Sequence, residues 1–341
     1  MSNPILKIGN SEIGLNQIYF TVEEGQANLG NFDKALKMID YAAKTEADAI
    51  EFQLAFASDF YVKSHKGFQV YSEREFSKKQ IEELVATTKE KNIDLVVAPF
   101  SHHIIEILSK LNCAAFNINA SDLNNPDILD AVSDSGKPFF LSLLLASEKE
   151  IEWAIQRISR RRSPNFGLLL GQHTMASGEH GVSLEHTNLG YIKTLKELYK
   201  VPVGFIDHSP LIWMPAVAVA AGADIITKHL ALSRNDKGPD WQVCLEPDEM
   251  KQAIDWVKKA KESISTINKK LAPGENMDKA IMRRSIVAAR QIEIDTEIER
   301  EDIVFKRPGS GIPPDQYLDI VGKKARRTIF SDEIIVFDDV K

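Results

Sequence analysis

The chain has 341 residues, 43% hydrophobic and 27% charged, with a formal net charge of −7; it is ordinary globular material, long enough for one large domain plus a small one. The acidic balance argues against a nucleic-acid partner, which needs a basic surface. Two distant cysteines, Cys113 and Cys244, exclude a disulfide framework or a zinc knuckle; no signal peptide or apolar run of membrane-spanning length is present, so a cytoplasmic protein is expected.

From the N-terminus onward, short apolar runs alternate with segments of helical period, the pattern of βα units feeding a parallel sheet. Residues 17–22, 48–53, 94–98, 114–118, 138–142, 166–170, 202–206 and 224–228 read as strands, the number needed for a closed (β/α)8 TIM barrel. Between them, residues 32–40 place apolar side chains at helical spacing. Residues 77–91 read as a helix with acids early and lysines late, and residues 148–162 as one whose arginine run meets the C-terminal carbonyls. The barrel is expected over 1–263 and a linker over 264–280, around Pro273-Gly274. A small β-rich module follows over 281–341, with strands at 285–289, 303–306 and 333–337 among Pro- and Gly-rich turns.

Barrel active sites form at the C-terminal ends of the strands. The polar residues expected there are Glu23 and Glu24, Glu51 and Gln53, His102 and His103, Asn117, Ser142, His173 and His180, Asp207 and His208, and Lys228 and His229. Neutral imidazoles on adjacent strands, His208 and His229, followed by Gly238-Pro239-Asp240, read as a metal-ligand pair with a carboxylate in reach. Glu51, flanked by buried strand residues, is costly unless it sits in a structural ion pair or is used. His102 and His103 read either as helix-capping or as catalytic, and residues 171–181 either as a substrate loop or as a plain surface loop.

Read together, Pro202-Val203-Gly204-Phe205-Ile206-Asp207-His208-Ser209, Lys228-His229, Gly238-Pro239-Asp240, Leu245-Glu246-Pro247, Arg283-Arg284-Ser285-Ile286-Val287-Ala288-Ala289 and Lys306-Arg307-Pro308-Gly309-Ser310-Gly311-Ile312 make a series that resembles the bacterial sialic acid synthases. The resemblance implies a barrel followed by an antifreeze-like (SAF) domain, in a domain-swapped homodimer whose SAF domain covers the partner's barrel mouth. It implies condensation of phosphoenolpyruvate (PEP) with an N-acylated hexosamine to a nonulosonic acid. The cofactor would be a divalent ion, Mn2+ or alternatively Mg2+ or another. By the same resemblance His208 and His229 hold the metal, Asp240 acts through metal-bound water, Glu23 is the essential glutamate, and Arg307 grips the sugar's acyl group. Glu51, Gln53, Asn117, Ser142, His173, His180, Asp207, Lys228 and Trp241 would contact substrate.

The chain departs from the family pattern in one cluster. Glu51 and Asn117 stand where the family has lysines, Ala120 and Ile206 where it has serines, Ala98 where it has threonine and Trp241 where it has histidine; the segment 171–181 lacks the family's tyrosine and proline. PEP carries roughly three negative charges and needs cationic or hydroxyl partners, so it binds poorly unless Lys63, Lys228 or Lys237 substitutes. Three functions are therefore expected in competition: a nonulosonic acid synthase; a PEP-independent, metal-dependent aldolase, epimerase or isomerase of a modified sugar; and a non-catalytic binding paralogue.

Overall fold

The computed structural model describes residues 5–14, 17–161, 165–173, 183–266 and 268–341. They divide into two compact units, Met1–Ser265 and Thr266–Lys341.

The first unit opens with an antiparallel hairpin, β1 (Leu6–Ile8) and β2 (Ser11–Ile13), which was not expected from the sequence. Strands and helices then alternate: β3 (Tyr19–Glu23), α1 (Phe32–Lys44), β4 (Ala49–Leu54), the short α2 (Ala57–Phe60) and α3 (Lys66–Ser72), α4 (Lys78–Glu90), β5 (Asp94–Pro99) and α5 (His102–Leu111). The pattern continues through β6 (Ala115–Ile118), α6 (Pro126–Asp134), β7 (Phe139–Ser142), α7 (Glu148–Ser159), β8 (Phe166–Gly171), α8 (Tyr191–Tyr199), β9 (Val203–Asp207), α9 (Met214–Ala220), β10 (Ile225–His229) and α10 (Pro247–Ser263). Strands β3 to β10 pair in parallel, and β10 returns to β3 to close the barrel. The (β/α)8 reading holds, each expected strand matching an observed one to within a few residues.

Side chains alternate between the two faces of each strand. One set, including Phe20, Val22, Ile50, Phe52, Val97, Phe116, Leu141, Phe205 and Ile226, packs under the helix layer. The other points into the lumen, where Tyr19, Ala49, Val96, Ala115, Phe140, Leu169 and Ile225 meet Leu6, Ile8 and Ile13 of the hairpin. The hairpin therefore plugs the N-terminal end of the barrel, and each large apolar side chain so buried contributes roughly 1.5–3 kcal/mol. Polar lumen residues are left to the opposite end.

Two helix readings need correction. Helix α4 has no acid in its first turn, which begins with Lys78 and Lys79; a capping box between Ser77 and Gln80 starts it instead. The arginines at the end of α7 pair with carboxylates of α6. Arg157 donates two hydrogen bonds to Asp130 (2.8 and 2.7 Å), and Arg161 pairs with Asp130 and Asp134, so they tie α7 to α6.

In the second unit a helix, α11 (Glu275–Met282), occupies part of the stretch expected to be a linker. Strands β11 (Ser285–Ala288) and β12 (Ile303–Lys306) pair antiparallel over a core that includes Ile286, Ile292, Ile298, Ile312, Ile329 and Ile335. The strand expected at 333–337 is not a regular one. Its backbone bonds at single points, Glu333 to Ala288 and Ile335 to both Ile286 and Ile312, and Phe337 already begins a 3-10 turn.

Candidate active site at the strand ends

Strand register sets the site. His229 on β10 stands beside Glu23 on β3, and Glu23 beside Glu51 on β4, so three ionisable side chains cross three neighbouring strands in one row. All three are buried, Glu51 completely. Just past β9 the lumen parity brings His208 against this row, its ring centroid 4.7 Å from that of His229, and His173 stacks on His208 at 5.4 Å.

Neither His208 nor His229 has a hydrogen-bond partner at Nδ1, although both atoms are buried. Glu23 Oε2 lies 3.4 Å from the Nδ1 of His229. Burial above all, then the neighbouring His229, His173 and Lys228, hold His208 well below the ordinary imidazole range. The ring is thus neutral, the state in which imidazole binds a metal. Two adjacent rings with orphaned buried nitrogens fit a divalent ion as donors. Among the described residues, no group of three or more His, Cys, Asp or Glu side chains is placed to hold a metal ion, so the candidate donors here are the two imidazoles.

The turn after β3 is shaped around this pair. Gly25 has φ +50°, and a Cβ there would lie 2.9 Å from His229 Cδ2, so both conformation and space require glycine. On the far side, residues 238–245 fold back on β10 through Leu245 N–H donating to His229 O (2.9 Å) and Ala231 N–H to Leu245 O (3.1 Å). That return puts Asp240 Oδ2 4.0 Å from His229 Nε2. Asp240 has φ +51°, a sparsely populated conformation of the kind that clusters at functional sites.

Gln53 holds the glutamates in place. Its side-chain amide donates to Glu23 Oε1 (2.8 Å) and its backbone N–H to Glu24 Oε1 (3.4 Å), while Asn28 donates to Glu24 Oε2 (2.6 Å). Burial nevertheless outweighs these bonds and raises Glu24 to about 7. Burial and then the charge of Glu23 also hold Glu51 well above the ordinary carboxyl range, against the Asn117 amide acting the other way.

The opposite wall is a chain of neutral groups. Asn117 Nδ2 donates to Glu51 Oε1 (2.7 Å), and Ser142 Oγ donates to Asn117 Oδ1 (3.0 Å). The two departures at Glu51 and Asn117 are therefore partners. A cavity of about 50 Å³ lies between the walls, lined by Glu23, Gln53, Asn117, Ser142, His173, His208, His229 and Asp240, and also by Asn119, Ala120, Leu144 and Ile206. Asn119 was not singled out in the sequence, where it is one of several asparagines in a polar loop.

Asp207 and Lys228 do not join this set. Alternation turns them to the helix side of β9 and β10, where Lys228 is fully buried. It donates to Asp207 Oδ2 (2.8 Å) and to the Ser209 carbonyl. This cation is spent outside the lumen. Lys63 and Lys237 are exposed and neither lines the cavity. His102 and His103 sit exposed in the first turn of α5, bonded to Glu106 and Asp59, with Ser101 as the cap. Trp241 is half-buried beside Asp240; Arg307 follows β12, exposed, in the second unit. His180 lies outside the described residues, as does most of the 171–181 segment. Among the described residues no helix is long and apolar enough to cross a membrane.

Comparison with known proteins matches residues 38–269 to the NeuB family and residues 283–341 to the SAF domain. The chain is 32% identical over 336 residues to an uncharacterized protein of Methanocaldococcus jannaschii, covering 98% of each. It is 28% identical to N,N'-diacetyllegionaminic acid synthase of Campylobacter jejuni, covering 92% of this chain and 97% of that protein. Among solved structures, N-acetylneuraminic acid synthetase from Leptospira borgpetersenii superposes with a TM-score of 0.74 at 30% identity, over 81% of this chain and 95% of that one.

Proposed function

The chain belongs to the NeuB family and carries a SAF domain, and from that premise we propose that it is a metal-dependent nonulosonic acid synthase, joining PEP to the aldehyde carbon of an N-acylated or otherwise modified hexosamine. C3 of PEP bonds to the aldehyde carbon, the aldehyde oxygen takes a proton, water adds at C2, and inorganic phosphate leaves. The observation that carries this reading is the convergence of His208, His229, Glu23 and Asp240 on one cavity at the strand ends.

His208 and His229 would hold the divalent ion, which when bound polarises the sugar carbonyl. Glu23, fixed by the Gln53 amide, is placed to accept or return a proton next to the carbonyl. Asp240 orients water at the same mouth, and Trp241 on its turn offers an aromatic face to the sugar. The active unit in this proposal is a domain-swapped homodimer in which Arg307 of one subunit serves the other's sugar site. Incubating the manganese-loaded protein with PEP and N-acetylmannosamine, or a panel of modified hexosamines, tests the reading. It expects inorganic phosphate and a nine-carbon acid in equal amounts; no phosphate with any sugar rejects it.

A second reading, a PEP-independent aldolase, epimerase or isomerase, is favoured by one observation. Among the described residues lining the cavity there is no lysine or arginine, and the buried Lys228 is engaged elsewhere. In that case Glu23 would abstract a proton beside the polarised carbonyl. Exchange of deuterium from solvent into a sugar without PEP would mark it.

A further inference from the structure

We infer that Glu51 is a positioning residue that sets which way the hydrogen bonds of Asn117 and Ser142 run, and so decides whether Ser142 donates to an anionic donor substrate or turns only lone pairs toward it. The inference rests on the proposal that an anionic three-carbon donor is bound, and deepens it. Glu51 is fully buried and does not line the cavity, whereas Asn117 and Ser142 do. It acts through them.

The chain runs Glu51 Oε1, Asn117 Nδ2 at 2.7 Å, then Asn117 Oδ1 to Ser142 Oγ at 3.0 Å. With Glu51 ionised, Asn117 must donate to it, and Ser142 spends its one proton on Asn117 Oδ1. Ser142 then presents only lone pairs to the cavity, which repel a phosphate or carboxylate oxygen. With Glu51 protonated the order can reverse. The carboxylic acid donates to Asn117 Oδ1, the turned amide donates to Ser142 Oγ, and the serine proton is released toward the ligand. The two ends of an asparagine amide are nearly the same size, so the same heavy-atom positions serve both directions.

The surroundings of Glu51 favour the protonated form. From β3 and its turn it faces Glu23, beside it in register, and Glu24; from β5 it faces the apolar Val96, and from β6 Asn117. None of these is a cation. Its second oxygen, Oε2, is buried without a hydrogen-bond partner, tolerable for a neutral acid and costly for a carboxylate. The upward shift of its carboxyl described above points the same way.

The test is calorimetric titration of PEP into the manganese-loaded protein across the whole pH range over which it stays folded, for wild type, Glu51→Gln and Ser142→Ala, with phosphate release followed in parallel after adding N-acetylmannosamine. The glutamine amide can donate at every pH, so the ratio of wild-type to Glu51→Gln affinity should fall about tenfold per pH unit once Glu51 ionises. Ser142→Ala should lose roughly ten- to hundredfold, and only on the acid side. Identical profiles for wild type and Glu51→Gln, or no PEP binding at any pH, overturn the inference. Binding that follows Glu51 without any phosphate release would reject the condensation and leave the relay standing; phosphate release with identical profiles would do the reverse.

Discussion

At its N-terminal end the barrel lumen holds Tyr19, Ala49, Val96, Ala115, Phe140 and Ile225 packed on the hairpin residues Leu6, Ile8 and Ile13. Two or more residues further along the same strands it holds Glu23, Glu51, Asn117, Ser142 and His229, most of them just as buried. The lower layer stabilises the fold through area removed from water. The upper layer takes polar groups out of water and leaves several atoms, among them Glu51 Oε2 and the Nδ1 atoms of His208 and His229, without partners. Such a cost is sustained only because the lower layer and the helix-facing core offset it, and its position marks where a ligand completes the structure.

Substitutions at the two ends should therefore separate stability from binding. The largest effect belongs to the lower layer: Phe140→Ala should cost about 3–5 kcal/mol in chemical denaturation while metal affinity, measured on the folded fraction, stays unchanged. A loss of metal affinity with stability intact would break the distinction. Of similar size is Lys228→Met, which leaves the buried Asp207 carboxylate without its cation outside the lumen; about 3–5 kcal/mol is expected, read as a lowered denaturation midpoint.

Next comes pH. Glu24 is raised from 4.5 to about 7, so between those values the folded state holds more protons than the unfolded one. Stability from this group is complete at pH values below the unfolded pKa and is lost as pH rises through the folded one, by on the order of 3 kcal/mol. Glu24→Gln should flatten that slope in denaturation curves taken across the range; an unchanged slope would contradict the assignment. Smallest in stability is Gly25→Ala, which should cost roughly 1–2 kcal/mol. It should also weaken metal binding by displacing the His229 ring, an effect that calorimetry would detect and that an ordinary turn glycine would not produce.

The barrel was legible because its strands are short apolar runs bounded by polar helical segments, and periodicity registers that directly. The hairpin was not, since three-residue strands around Gly9-Asn10 leave too little pattern. Within the site, the imidazole pair could be read from two strand ends of the same shape, each ending one residue past a buried run. The same alternation already separates Asp207 from His208 and Lys228 from His229, and applying it would have removed both from the lumen set. The Glu51 to Asn117 contact lay beyond reach: the residues are 66 positions apart on strands that are not neighbours, and only closure of the barrel brings them together. Sequence alone made them two missing lysines, where the folded chain makes them one hydrogen-bonded unit.

The imidazole pair at the upper end of the lumen is the centre of the candidate site. Titration of Mn2+ into the purified protein, followed by electron paramagnetic resonance of the free ion, tests it directly. One site per chain is predicted, weakened at least about a hundredfold in both His208→Ala and His229→Ala and retained in Phe140→Ala. Equal binding by wild type and both histidine variants, or no binding by any of them, would contradict it.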